Sequence, residues 1–311
     1  MNALTNTFKT VALLALLGGL FVAIGGLIWG QSGMLLALIF AIGLNGFVYW
    51  NSDTLALKAN GARELGFGEA PRLRQIVTEL SRRADIPVPR IYLVDRPEPN
   101  AFATGRDPDH SAIAVTSGLL QLVDERQLTG VLAHELSHVK NRDTLIGTIA
   151  ATIGGAISFL AQIAQFQLFF GGGDDERGGN PLGALAAILL APLAAMIIQL
   201  AVSRGREYYA DASGAELTGD PEGLAQALEQ LETANRSRGL FGFGRRSPDP
   251  MGRPAPAPAP AMNPAFAHLY IVNPLSGANL AGLFSTHPPI QDRIRRLRSM
   301  VGRRAALTAR P

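Results

Sequence analysis

The chain has 311 residues, 47% of them hydrophobic and only 17% charged, against about a quarter charged in an ordinary soluble protein. It contains no cysteine, which excludes a disulfide scaffold, a cysteine nucleophile and a thiolate metal site. The net charge of +3 comes mostly from arginines scattered among acids rather than gathered in a patch, so nucleic acid is not an expected partner.

The apolar excess is concentrated in four uncharged runs, residues 11–29, 34–50, 144–170 and 181–202. At about 1.5 Å per helical residue, such runs cover most of a ~30 Å hydrocarbon core. Only Gly30-Gln31-Ser32-Gly33 separates the first two, and a helical hairpin is expected. A cleaved signal peptide is the alternative for the first run, but only Lys9 precedes it and a second apolar run follows at once. Residues 171–180 join the later pair, in which Gly154-Gly155 and Pro192 leave room for kinked or shallow segments; buried helices of a soluble core are the alternative there. The two short connections carry one basic residue, Arg177, whereas Lys58, Arg63, Lys140, Arg142, Arg204 and Arg206 flank the other span ends. The positive-inside rule places both connections outside, and the termini and remaining chain in the cytoplasm. The expected organisation is a transmembrane hairpin at 1–50, a soluble piece at 51–143, a second hairpin at 144–202 and a second soluble piece at 203–311.

In the first soluble piece, residues 70–85 predict an amphipathic helix with Leu73, Ile76, Val77 and Leu80 on one face. Short strands are expected at 90–94, 100–104 and 112–116, followed by a helix over 124–141 that runs almost directly into the third apolar run. The second piece predicts helices over 201–218 and 223–234 and a basic helix over 290–301. Between them, residues 240–264 are rich in Gly, Pro, Arg and Ala and predict a mobile loop.

The chemistry lies in the 124–141 helix, which contains His134-Glu135-Leu136-Ser137-His138. Histidines four apart share one helical face and can share one metal ion. Glu135, about 100° around the helix, reaches a metal-bound water rather than the metal. A zinc ion there lowers the pKa of its water toward ~7, and the neighbouring carboxylate takes the proton as the water attacks a carbonyl. A catalytic zinc needs a third protein ligand. The other histidines, His110, His268 and His287, do not fall on well-placed helices. Glu207 and Asp211 stand four apart on the helix leaving the fourth apolar run, and a hairpin returns Glu207 to the membrane level of His138. Glu207 is therefore the expected third ligand and Asp211 a carboxylate that fixes a ligand imidazole; Glu216 and Glu222 are weaker candidates, further from the membrane end.

Together, Asn100-Ala101-Phe102-Ala103, the His134–His138 motif, Glu207-Tyr208-Tyr209-Ala210-Asp211 and Ser285-Thr286-His287-Pro288-Pro289 resemble the bacterial HtpX membrane zinc metalloproteases, relatives of the CAAX prenyl endopeptidases. The resemblance runs from the first hairpin to Arg298; the Pro/Ala-rich stretch at 251–262 is its chief departure. It implies one zinc per chain held by His134, His138 and Glu207, with Glu135 as base, at the cytoplasmic face of the bacterial inner membrane. It also implies a role in membrane-protein quality control under stress. It further implies that the strand carrying Asn100, Ala101 and Phe102 binds extended substrate by β-addition, unless that strand is interior to its sheet. His287 and Arg293 resemble the family's pair beside the scissile carbonyl, unless His287 caps a helix start and Arg293 is solvated. The fold expected is an α+β membrane protein with four transmembrane helices, a mostly α zincin-like cytoplasmic catalytic domain and a small β-sheet. Its partners are the lipid bilayer and misfolded or membrane-protein substrates. Intramembrane cleavage, prenyl-peptide hydrolysis and a metal-binding scaffold without turnover are the alternatives. Lys140-Asn141-Arg142-Asp143 directly after the motif argues against burial in the bilayer, and an intact Glu135 against a scaffold.

Overall fold

A helix that is apolar all round presents no polar face to water. The computed structural model, which describes residues 3–147, 149, 204–241, 271 and 288–308, shows this in α1 (Ala3–Trp50). It is helical on both sides of a reversal at Gly30, whose φ of +61° glycine adopts without strain. Asn45 Nδ2 donates to the Leu14 carbonyl across the hairpin at 3.1 Å, and Phe21 meets Phe40 edge-on at 5.4 Å. Gly30–Trp50 is long and apolar enough to cross a membrane, and among the described residues it is the one helix that is. Leu35, Leu36, Ile39, Phe40, Ile42 and Trp50 stand exposed along it. The expected second hairpin lies outside the described residues apart from its first turn, so one span, not four, is present among them.

After α2 (Ser52–Ala59) and β1 (Ala62–Glu64) come α3 (Pro71–Ala84), β2 (Arg90–Val94), β3 (Ala101–Gly105), β4 (Ser111–Thr116), α4 (Ser117–Leu122) and α5 (Glu125–Lys140). The sheet order is β1-β2-β4-β3, with β2 and β4 parallel and the other pairs antiparallel, so β3 is an edge strand. Strand side chains alternate between faces. Ile91, Ala101, Ala103, Ile113 and Val115 face one core with α3 and α5, while Tyr92, Val94, Phe102, Ala112 and Ala114 face a second core with α2. Covering on both faces explains why β3 and β4 are buried throughout. The elements α2, β1 and α4 are too short for periodicity to announce them in the sequence.

The later chain supplies α6 (Arg204–Thr218), α7 (Pro221–Phe241) and α8 (Ile290–Thr308). α7 runs past the expected end at 234. The loop expected at 240–264 lies outside the described residues apart from its first two positions, which are helical. α5 is the central element, packed against α3, β3, α6 and α7. Its start is fixed by a capping box, in which Asp124 accepts from the Gln127 N–H at 2.8 Å and Gln127 Oε1 accepts from the Asp124 N–H at 3.0 Å. Val131, Leu132, Leu136 and Val139 are fully buried, worth roughly 1.5–3 kcal/mol each. α6 meets α5 backbone to backbone: a Cβ on Gly214 would stand 2.9 Å from the His134 nitrogen, closer than a side chain tolerates. That contact sets the distance across which α6 presents its acids to the α5 histidines.

Candidate metal centre

The 3.6-residue period of α5 puts His134 and His138 one turn apart, with their Nε2 atoms 3.1 Å from each other. From α6, Glu207 brings Oε2 to 3.8 Å from His134 Nε2 and Oε1 to 3.8 Å from His138 Nε2. Ligand atoms of the three residues all lie within 4.8 Å of one another. A tetrahedral zinc with bonds near 2.0–2.1 Å separates its ligands by about 3.3 Å, so the triangle matches the ion in size and in donor type.

The outer nitrogens of both rings are held by carboxylates. His134 Nδ1 is 2.9 Å from Asp211 Oδ1, and His138 Nδ1 is 3.0 and 3.1 Å from the two oxygens of Asp143. With the ring hydrogen on Nδ1 donated outward to its carboxylate, each imidazole has Nε2 left to face a metal ion. Asp143 reaches His138 through the way α5 ends. Arg142 takes a left-handed conformation, φ +55°; its N–H donates to the Val139 carbonyl, and the Asp143 N–H donates to the His138 carbonyl. This is a Schellman termination with arginine where glycine is usual. The sequence reading missed Asp143, because it lies past the helix end where periodicity carries no information.

Arg293 sits behind His134, fully buried. Its Nε and Nη2 donate to the two Asp211 oxygens at 2.8 and 2.7 Å, and its Nη1 donates to the Ile271 carbonyl at 3.0 Å. The guanidinium thus grips the carboxylate that orients His134, and its Nη1 also lies 3.7 Å from Glu207 Oε2. Burial alone raises the Asp211 pKa, but Arg293 and His134 more than offset it and hold the carboxyl at about 2. His134 is pushed down, chiefly by burial. Burial also lowers His138, yet Asp143, Glu207 and Glu135 overcome it and lift the ring to about 10. A pocket that draws a proton this strongly onto an imidazole between carboxylates suits a cation.

Glu135 is buried beside the cluster and accepts from the Ala103 N–H of β3. Burial, reinforced by Glu207, pushes its carboxyl up to about 8. Of the expected substrate residues, Ala101 lies on the edge strand and faces the α5 core, whereas the Phe102 side chain points the opposite way, into the α2 core. Asn100 is buried and turns Oδ1 onto the Ala101 N–H at 3.0 Å. His287 lies outside the described residues. Glu216 lines a groove with Arg83, Lys140 and Tyr209, and Glu222 bonds Arg298, so neither joins the cluster.

The sequence model of peptidase family M48 matches residues 68–301. The chain belongs to that family. Among relatives of this M48 peptidase, a protease HtpX homolog of Persephonella marina is 51% identical over 299 residues, covering 96% of this chain and 98% of that one. A protease HtpX homolog of Ralstonia pickettii is 48% identical over 296 residues, covering 95% and 96%. The crystal structure of S. mikatae Ste24p aligns with a TM-score of 0.48 at 18% identity, over 94% of this chain and 65% of that one. The M48 peptidase is accordingly an HtpX-type, membrane-bound zinc metalloprotease, mostly helical with a small mixed sheet. His134, His138 and Glu207 are the cluster among its described residues that fits the metal.

Proposed function

We propose that this M48 peptidase hydrolyses internal peptide bonds of misfolded or membrane-associated proteins at the cytoplasmic face of the bacterial inner membrane, in protein quality control and stress response. The observation that carries the reading is the convergence of His134, His138 and Glu207 beside the buried carboxyl of Glu135. Residues 51–143 and 203–311 form the catalytic body, tethered by hairpins at 1–50 and 144–202. Tethering raises the effective concentration of the site toward loops exposed at the membrane surface.

His134, His138 and Glu207 would hold the zinc, which when bound would supply Lewis acidity for peptide hydrolysis. Glu135 accepts the proton of the attacking water at its carboxylate and returns it to the leaving amine. A carboxyl lifted by burial toward about 8 exchanges that proton near neutral pH. Asp211 and Asp143 keep both imidazoles in the ligating tautomer, and Arg293 positions Asp211. Substrate adds along the outer edge of β3, which brings its backbone alongside Glu135. His287 remains the candidate donor to the oxyanion.

Casein cleavage by detergent-purified protein tests the reading. Cleavage that a chelator abolishes and added zinc restores is expected; cleavage indifferent to chelator would overturn it.

A further inference from the structure

Most exposed cations of the described surface are already occupied. Arg63 pairs with Glu69, Arg72 with Glu125, Arg126 with Asp220 and Arg298 with Glu222 and Glu229, while Arg296 lies over the Tyr208 ring. Among the described residues, the exposed basic side chains that touch no acid, hydrogen-bond acceptor or ring are Lys58, Lys140, Arg142 and Arg204. Lys58 stands with α2, across the sheet from α5. The other three come together at one end of the α5–α6 pair. Gly214 meets His134 and Glu207 reaches toward His138, so the two helices run antiparallel. Arg204, the first residue of α6, therefore lies at the level of the turn that ends α5, which carries Lys140 and Arg142. The uncharged run 144–170 leaves from that turn, and the run 181–202 returns to Arg204.

We infer that Lys140, Arg142 and Arg204 form a site for the phosphate of an anionic phospholipid headgroup. The inference rests on the hairpin at 144–202 entering the bilayer, which sets all three charges at headgroup level. Arg142 carries the clearest sign. Its φ of +55° is a conformation that glycine takes without strain and arginine does not. What arginine adds there is its side chain, which is exposed and has nothing to bond among the described residues. The adjacent acid, Asp143, is buried and engaged by His138. Beside the turn, Lys140 lines a groove of about 420 Å³ with Ser137, Tyr209 and Ser213. Tyr209 is 44% exposed, and its hydroxyl and that of Ser213 offer donors to the glycerol oxygens of a headgroup. The acid of the groove, Glu216, lies two helical turns beyond Tyr209, about 10 Å further from the membrane end. Two guanidinium forks and an ammonium match a phosphodiester in charge and donor geometry. A zwitterionic headgroup brings its own ammonium to the same phosphate and gains less.

Native mass spectrometry of the full chain tests this, with Glu135→Gln as the parent, in detergent micelles doped with equal phosphatidylglycerol and phosphatidylcholine. The parent is expected to retain phosphatidylglycerol at least about 10-fold over phosphatidylcholine. Each of Lys140→Gln, Arg142→Gly and Arg204→Gln is expected to lower that preference about 3- to 5-fold, the effect of one charge at a membrane surface. The triple variant is expected to bring it to parity. Arg142→Gly keeps the left-handed turn, so its loss reports the guanidinium and not the fold. Equal retention of both lipids by the parent, a preference that survives in the triple variant, or an equal loss in Lys58→Gln would overturn the site. Inorganic phosphate that displaces the lipid further than chloride of the same ionic strength would assign the site to free phosphate and overturn the lipid. The chain has no cysteine, so a spin label at Gly205→Cys in proteoliposomes reports depth separately. A label at headgroup level is expected. A label in bulk water would remove the second hairpin, and the lipid site with it.

Discussion

Replacing Asp143 with Asn is expected to weaken zinc binding by roughly 10- to 100-fold, the usual cost of losing a partner behind a metal ligand. Asp143 holds the Nδ1–H of His138 between oxygens at 3.0 and 3.1 Å and lies in the turn set by Arg142. Asparagine keeps the shape and one acceptor but removes the charge. A hydrogen bond to a charged group contributes about 1.5–3 kcal/mol, and the charged part of that range corresponds to about one to two powers of ten in affinity. The side chain is 5% exposed, so solvent screens little of the effect. The assay is zinc titration against a competing fluorescent chelator, with Glu135→Gln as the parent to suppress self-cleavage. Binding within about threefold of the parent would refute the claim that Asp143 fixes His138 for the metal.

Gly214→Ala is expected to cost about 1–3 kcal/mol by overpacking, because its Cβ would meet the His134 nitrogen at 2.9 Å; a lower Tm together with weaker zinc binding checks it. Arg142→Gly relieves about 1–2 kcal/mol of left-handed strain against about 0.5–1 kcal/mol of added chain entropy. A small net gain in denaturant resistance is expected, and a loss would contradict the strain. Arg293→Lys cannot bridge both Asp211 oxygens and the Ile271 carbonyl, so zinc affinity should fall along with kcat; a fall in kcat at unchanged zinc affinity would return Arg293 to the oxyanion. Glu207→Ala should lose zinc and cleavage together, while Glu216→Ala keeps both, as read by metal content and casein cleavage.

The parts of the site that were legible in the sequence are those where local period and chemistry coincide. His134 and His138 declare themselves by a four-residue spacing inside a helix whose start is marked by Asp124 and Gln127. Glu207 follows only from assuming that the chain returns to the same level, and the close α5–α6 approach at Gly214 is what brings it within reach. The alternation of a strand already places Phe102 opposite Ala101 and Ala103, with its side chain in the α2 core. Arg293, on a helix crowded with arginines, looked solvated or exposed to substrate. Its spacing of four from the buried Leu297 is the local sign that it belongs to the inner face. Asp143 and Ile271 leave no such trace, since one acts through a left-handed turn and the other through backbone bonds to distant residues.

X-ray absorption at the zinc edge of the Glu135→Gln protein tests the central claim most directly. Two imidazole nitrogens and a carboxylate at about 2.0–2.2 Å are expected, with the metal lost in Glu207→Ala. A shell of three imidazoles, or full zinc occupancy without Glu207, would contradict it.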